Sequence, residues 1–506
     1  MQLTDDQYHE VIDDKGSNHL NLLFSHNING ETHPCGCRQF PLGGMPQVNG
    51  IIKSEEAKAP TIYVDSGDTF FETTIVPNFI KESAEFKARK IAEALDQMSL
   101  KIFTPGDQDF SMGEGFLVEI SNKHKFNFLI SNAADQVKIK HQKLIRIDSN
   151  GLSLFFIGVV YPELMRMEYK NLFTPPLPAI KKQIDIIKTK FANIKNKKII
   201  ILSHSGVEFD KKIANRFSDI DWIIGSHSQS FLRYSIDANK AQLVQVLSRN
   251  HHLGKISLAL NSKTKDKYEL IEVRDETKNL IKNNSMTSWL DNFKSQLDKV
   301  HAHEQKGGQE FESETKIATY ISCSDCHTKQ LDFWQGTSHS IAFASLLDAK
   351  AANNPSCVKC HSVGHNQEGG FSSKDNIVKS SKDSFNTEKY WEEFTQEVKI
   401  KHPIRKLKSK TIRKIAKHSL KRDVDLGITD NYSNVQCLNC HDLNQEHPFG
   451  ETPSVHANNF ESKCINCHTQ DQSPEWYQKD TKGLATSLNQ KYFAKKLKEV
   501  SCPKID

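Results

Sequence analysis

Between about residues 18 and 275, short apolar runs alternate with longer amphipathic stretches. His19–Ser25, Pro60–Val64, Ile102–Thr104, Phe126–Ser131, Leu152–Val160, Lys198–Ser203, Trp222–Gly225 and Leu243–Leu247 have the length and continuity of buried strands. Lys81–Gln97 and Ile180–Ile194 repeat apolar residues at helical spacing. This alternation predicts an α/β domain with stacked layers over residues 18–275. Residues 276–317 read as a polar, helical linker, with Gly307-Gly308 as a break. From residue 318 to 506 strand patterns become sparse and polar loops dominate, which predicts a mostly α, loop-rich second domain. No apolar run is long enough for a transmembrane segment.

A length of 506 residues leaves room for two to four domains. The net charge of +5 is too small to argue for nucleic acid. The cysteines say more. Eight of the eleven fall into four copies of one pattern: Cys323-Ser-Asp-Cys326-His327, Cys357-Val-Lys-Cys360-His361, Cys437-Leu-Asn-Cys440-His441 and Cys464-Ile-Asn-Cys467-His468. Composition alone yields about 0.01 such matches in this chain, and the pattern is that of c-type haem attachment. The paired thiols form thioethers with the haem, and the adjacent imidazole ligates iron from the proximal side. Disulfides or paired zinc sites would leave unexplained a histidine directly after every second cysteine.

Haem c attachment in bacteria takes place outside the cytoplasmic membrane, so a periplasmic or cell-surface location is expected. Met1-Gln-Leu-Thr-Asp-Asp-Gln-Tyr8 has neither a charged n-region nor an apolar h-region, which places the secretion signal outside this sequence.

Tyr320-Ile-Ser-Cys-Ser-Asp-Cys-His327 followed by Trp334-Gln-Gly-Thr-Ser-His339 resembles the opening of the tetrahaem cytochrome c-554 family. Asn434–His441 with His447, and Cys464–Pro474, extend the resemblance over roughly residues 318–480. It implies four haems c and assigns distal-ligand roles to His339 and His447. His456, His365 and His418 are further distal candidates among the non-motif histidines. The third motif departs from the family, running into Asp442-Leu-Asn-Gln-Glu446 where a Gly-Pro-Gly turn is usual. The stretch Lys399–Arg422 carries eleven basic residues, no acid, and apolar residues at rough helical spacing. It reads either as a docking face for acidic redox partners or as a solvated helix face. Nucleic acid is not expected there, since no aromatic residues interleave the charge.

The α/β region resembles the calcineurin-like metallophosphoesterases of the 5′-nucleotidase branch, whose two metals are held by short motifs at strand ends. The first motif, Asp-x-His-Gly in the family, is Asn27-Ile-Asn29-Gly30 here. Gly67-Asp68 retains the second, Gly106-Asp107-Gln108-Asp109 alters the third, Ser203-His204-Ser-Gly206 retains the fourth, and Ser226-His227-Ser-Gln229 alters the fifth. By this resemblance one metal site would use Asn27, Asn29, Asp68 and Gln229, three of them neutral amides and poor ligands. The other would use Asp68, Asp107, His204 and His227, all competent. The two-metal hydrolytic centre is therefore expected to be broken, leaving one divalent metal ion or an empty scaffold. Cys35 and Cys37 follow the first motif and could form a redox pair, bind a soft metal, or form a disulfide. Cys502 shows no partner in the sequence.

The expected function is electron transfer along four haems, with the degenerate α/β domain as a docking or ligand-binding module. Alternatives are a periplasmic oxidoreductase acting at an open haem or at the α/β site, and a metal-dependent ester hydrolase.

Overall fold

The computed structural model describes residues 7–12, 17–34, 41–260, 264–306, 316–398, 407–441, 460–470, 472–479 and 485–503. Cys35, Cys37, His447, His456 and the 399–406 part of the basic stretch lie outside the described residues. The chain divides into two compact units, Met1–Phe293 and Lys294–Asp506.

The strands of the first unit are β1 (Gln7–Val11), β2 (His19–Ser25), β3 (Thr61–Asp65), β4 (Leu100–Phe103), β5 (Asn127–Phe128), β6 (Leu144–Ser149), β7 (Leu152–Val160), β8 (Lys197–His204), β9 (Trp222–Gly225), β10 (Ile236–Ala238), β11 (Ala241–Val244), β12 (His252–Ala259) and β13 (Lys267–Glu272). They form a seven-stranded sheet, β1-β6-β7-β8-β9-β11-β10, and a six-stranded sheet, β13-β12-β2-β3-β4-β5. Helices α1 (Met45–Glu56), α2 (Lys81–Gln97) and α3 (Glu114–Lys123) are followed by α4 (Met167–Lys170), α5 (Pro176–Lys190), α6 (Val207–Arg216) and α7 (Ser285–Lys306).

Strand alternation explains the layering. Leu154 and Phe156 of β7, with Ile200 and Leu202 of β8, share one core with Leu22, Phe24, Ile62 and Val64 of the other sheet. Their neighbours Phe155, Ile157, Val159, Ile199 and Ile201 turn the opposite way, against Ile180, Ile184 and Ile187 of α5. Leu23, Tyr63 and Phe103 meet α1, α2 and α3 through Val48, Ile52, Ile91, Leu95, Leu117 and Ile120. The unit is thus helix on sheet on sheet on helix, with both faces of each sheet buried; each fully buried aliphatic or aromatic side chain contributes roughly 1.5–3 kcal/mol. These are the layered α/β sheets of a phosphoesterase-type sandwich.

Where the strands depart from the pattern, a backbone partner explains it. The apolar run 126–131 yields only the short β5, because Ser131 N–H bonds Gly158 O of the other sheet at 2.7 Å instead of extending its own ladder. β11 ends at Val244, and Val246 N–H goes to His26 Nε2 at 2.8 Å. Strands β2, β3 and β4 are mutually parallel, as are β8 and β9. Their carboxyl ends carry the loops in which ligand sites of open α/β sheets are built.

The second unit is helix-rich and loop-rich. The four Cys-x-x-Cys-His motifs sit on or at the ends of short helices, Tyr320–Ser324, Pro355–His361, Cys437–Cys440 and Phe460–Ile465. Longer helices Thr387–Val398 and Ser409–Asp425 accompany them, along with two small two-stranded sheets. Its core is small and aromatic, built on Phe343, Phe371, Tyr390, Trp391, Phe394 and Tyr432. Among the described residues no helix is long and apolar enough to cross a membrane.

Candidate functional sites

Five loops at strand carboxyl ends converge in the first unit. Asp68 follows β3, Asp107 follows β4, His204 ends β8 and His227 follows β9; one ligand atom from each lies within 4.8 Å of the others. His204 Nε2 is 3.0 Å from Asp107 Oδ1 and 3.3 Å from Asp68 Oδ2, and His227 Nδ1 is 3.0 Å from Asp107 Oδ1. Burial pushes the Asp107 carboxyl up, but hydrogen bonds from both histidines outweigh it and hold it well below the usual carboxylate range. Burial likewise disfavours charge on His204, yet Asp68 and Asp107 together raise its pKa. Two carboxylates and two imidazoles on so small a sphere are a donor set suited to one divalent transition metal.

The backbone here is strained in a consistent way. Asn27, Asn29, Asp68, His227 and Gln229 all have φ between +48° and +65°, a region costly for residues with a side chain. The surroundings enforce it. Asp109 is buried and accepts from the backbone N–H groups of Asp68, Thr69, Phe70 and Gly106 at 2.8–2.9 Å, which pins the Asp68 loop. Burial, with Asp68 nearby, pushes the Asp109 pKa up to about 7. Asp65 holds the start of the same loop through Gly67 N–H at 2.9 Å and Thr69 Oγ1 at 2.6 Å. A Cβ on Gly106 would fall 2.3 Å from Asp68 Oδ1 and 2.4 Å from His204 Cε1, so only glycine permits this approach.

The amide positions of the other expected metal site are oriented by a chain of hydrogen bonds. Val246 N–H can only donate, so His26 Nε2 accepts at 2.8 Å and His26 Nδ1 carries the proton. That proton goes to Asn27 Oδ1 at 2.8 Å, which also accepts His227 N–H at 3.0 Å. The Asn27 amide nitrogen therefore faces inward and donates to Asp68 Oδ2 at 3.0 Å. N–H bonds point where a second cation would need a lone pair. Gln108, in the altered third motif, turns away; its amide nitrogen donates to Phe71 O at 2.8 Å and Glu72 O at 3.0 Å, and reaches Asn29 Oδ1 at 3.2 Å. The residues present fit one metal ion and do not fit two. His26 carried no signal of this role in the sequence, and Asp109 only its place in the third motif, because Val246 and the Asp68–Phe70 backbone lie far along the chain.

In the second unit two of the motif histidines are held at Nδ1. His361 Nδ1 is held by Ala342 O at 2.8 Å and Ser345 Oγ at 3.2 Å, and His468 Nδ1 by Ser473 Oγ at 3.0 Å; both arrangements leave Nε2 for a metal. Backbone bonds of 3.0, 2.8 and 2.9 Å from His327, His441 and His468 to Cys323, Cys437 and Cys464 keep each of these motifs in one helical turn. None of the eight motif cysteines is in a disulfide. The motifs cluster: Cys323 lies beside Cys437, Cys360 beside Cys467, and Cys440 near both Cys464 and Cys467.

The His339 ring centroid is 6.4 Å from that of His468, and Val435 N–H, just ahead of the third motif, bonds His339 O at 3.2 Å. Burial, and then the nearby His361, lower its pKa. His365 is also inside this unit, and burial pulls its pKa down to about 4. His418 is half-exposed and its Nε2 hydrogen-bonds Glu397 Oε2 at 2.8 Å, an engagement at the surface. Of the basic stretch, residues 409–422 lie on the helix Ser409–Asp425, whose Ile412 and Ala416 are buried. Arg413 and Lys417 pair with Asp332, and buried Arg422 with Glu393 and Glu397, while Lys410, Lys414 and Lys421 are exposed. Cys502 is near the third motif, since its charge would act on both Cys437 and Cys440.

Residues 322–383 match the model of the family described as cytochrome c554 and c-prime. The chain is 25% identical over 240 residues to an apyrase of Aedes albopictus, covering 44% of this chain and 40% of the apyrase. It is 25% identical over 202 residues to a 5′-nucleotidase of Mus musculus, covering 38% of this chain and 33% of that protein. It therefore spans well under half the length of these relatives. Among solved structures, a 5′-nucleotidase precursor from Thermus thermophilus superposes with a TM-score of 0.46 at 17% identity, covering 55% of this chain and 59% of that one. A cytochrome c554-family segment thus stands C-terminal to a unit with the layering of a calcineurin-like phosphoesterase.

Proposed function

We propose that this protein carries electrons through four covalently attached haems c, and that its α/β unit is a docking or ligand-binding module holding a single divalent cation. The observation that carries the reading is the fourfold Cys-x-x-Cys-His motif, supported by His361 and His468, each held at Nδ1 so that Nε2 would be the atom to ligate iron. When bound, the haems supply one-electron chemistry, with potentials set by axial ligands, burial and nearby charge. The eight motif cysteines would anchor them, His327, His361, His441 and His468 would be the proximal ligands, and His339 the distal ligand opposite His468. The location this chemistry requires is the periplasm or the cell surface. Exposed Lys410, Lys414 and Lys421 would meet an acidic redox partner.

In the α/β unit, Asp68, Asp107, His204 and His227 would hold the cation. Hydrolysis is the weaker reading, because the Asn27 amide N–H occupies the second-metal side and Gln108 is bound to the Phe71–Glu72 backbone. A pyridine haemochrome assay on the purified, matured protein is the primary test. Four haems c per chain are expected, and a visible spectrum without c-type bands would end this reading.

A further inference from the structure

Among the described residues of the second unit, one histidine combines an anchored ring with a buried, unpartnered nitrogen. His365 Nε2 is buried and has no hydrogen-bond partner, while a hydrogen bond to the Ser372 backbone engages the ring. With Nε2 unpartnered, that bond is made at Nδ1. A neutral imidazole that donates through Nδ1 carries its lone pair on Nε2. The motif histidine His361 is likewise held at Nδ1 by a backbone carbonyl, that of Ala342. Leaving a buried ring nitrogen unsatisfied is costly, so an orphan held in a fixed orientation asks for a partner.

The loop that carries His365 identifies which haems it serves. Its ring packs on Phe371, with centroids 5.2 Å apart, and Phe371 in turn stacks on Tyr432. Val363 N–H bonds Tyr432 O at 2.9 Å, and Asn439 Nδ2, inside the third motif, donates to Ser362 O at 3.0 Å. On the other side, Ile317 N–H bonds Gly369 O at 3.1 Å, just ahead of the helix Tyr320–Ser324 that bears the first motif. Tyr320 N–H bonds Gln436 Oε1 at 2.6 Å, which ties the first motif to the third. His361 faces away from this loop, toward Ala342, Ser345 and the His339–His468 pair.

We infer that His365, through Nε2, is the distal axial ligand of a haem anchored at the first or third motif, on a different iron from the one served by His339. The inference rests on the haem reading of the four motifs. It gives a function to a residue that the sequence offered only as one spare histidine among several.

The test uses the full, matured chain. His365→Ala should retain four haems by pyridine haemochrome while one haem in four becomes high-spin and binds carbon monoxide. The double variant His339→Ala/His365→Ala should open two haems. His365→Met should keep that haem low-spin, introduce the near-infrared magnetic circular dichroism of a His–Met pair, and raise its potential. If His365→Ala holds four haems with spin state and carbon monoxide binding unchanged, the inference fails. It fails equally if the double variant opens only one haem, or if His365→Met shows no His–Met signature; the methionine variant decides the matter should the alanine variant not mature. A wild-type protein without haem would instead overturn the underlying reading.

Discussion

The two units build their chemistry in opposite ways. In the second unit each Cys-x-x-Cys-His motif is five consecutive residues, and one helical turn brings thiols and imidazole together. In the α/β unit the candidate ligands come from Asp68 to His227 along the chain and are assembled by two sheets, with strained backbone in three of the loops between them. A contiguous motif carries its function wherever it is placed. A dispersed site can keep its fold, its buried carboxylates and its positive-φ loops while an exchange of oxygen for NH₂ at Asn27 closes half of it.

The largest expected effect tests the independence of the local motif. Replacing Cys437 and Cys440 by alanine should leave three haems per chain and leave metal binding by the α/β unit unchanged. Loss of both would show that the units are not separable. Next, Asp68→Ala should weaken binding of one manganese ion beyond the ~10–100-fold typical of losing an outer-shell partner, read by calorimetry. The triple variant Asn27→Asp/Asn29→His/Gln229→His should raise the stoichiometry from one ion to two, with exchange-coupled manganese visible by electron paramagnetic resonance.

A smaller effect is expected from pH. Burial pulls His26 down to about 4, below the ~6.5 of an unfolded chain. Between these values the unfolded state binds the extra proton, so the His26 contribution is intact above pH ~6.5 and is lost as pH falls toward 4, by about 3 kcal/mol. Asp65, pushed by burial to about 6, and Asp210, pushed to about 7, run the other way: they favour the folded state at low pH and lose that contribution as pH rises through these values. The measurement is therefore the difference between wild type and His26→Gln in urea denaturation at pH 7 and pH 4.5, which should shift against the wild type on acidification. The smallest effect belongs to the surface of the haem unit. Asp332→Asn removes the exposed partner of Arg413 and Lys417 and should leave the denaturation midpoint within experimental scatter.

Much of this was legible in the chain. β2, β7, β9 and α2 coincide with the apolar runs that predict them, because each buries its apolar positions on both sheet faces or on one helix stripe. The short β5 was not, since its backbone bonds are shared with the opposite sheet. The basic stretch contains no acid of its own, and only folding supplies Asp332, Glu393 and Glu397 to Arg413, Lys417 and Arg422.

The sequence by itself determined the chemistry that is local: four thiol pairs, each with its imidazole at fixed spacing, and the layered α/β fold from strand and helix periodicity. It also placed neutral amides at Asn27, Asn29 and Gln229. Only the tertiary structure decided which way the Asn27 amide points, because that rests on the hydrogen bond from Val246 N–H to His26, a contact across some 220 residues. Likewise only the fold distinguishes His365, whose Nε2 is buried without a partner, from His418, bonded to Glu397 at the surface. Hydrogen-bond direction and burial belong to the folded environment, and residue type alone does not fix them.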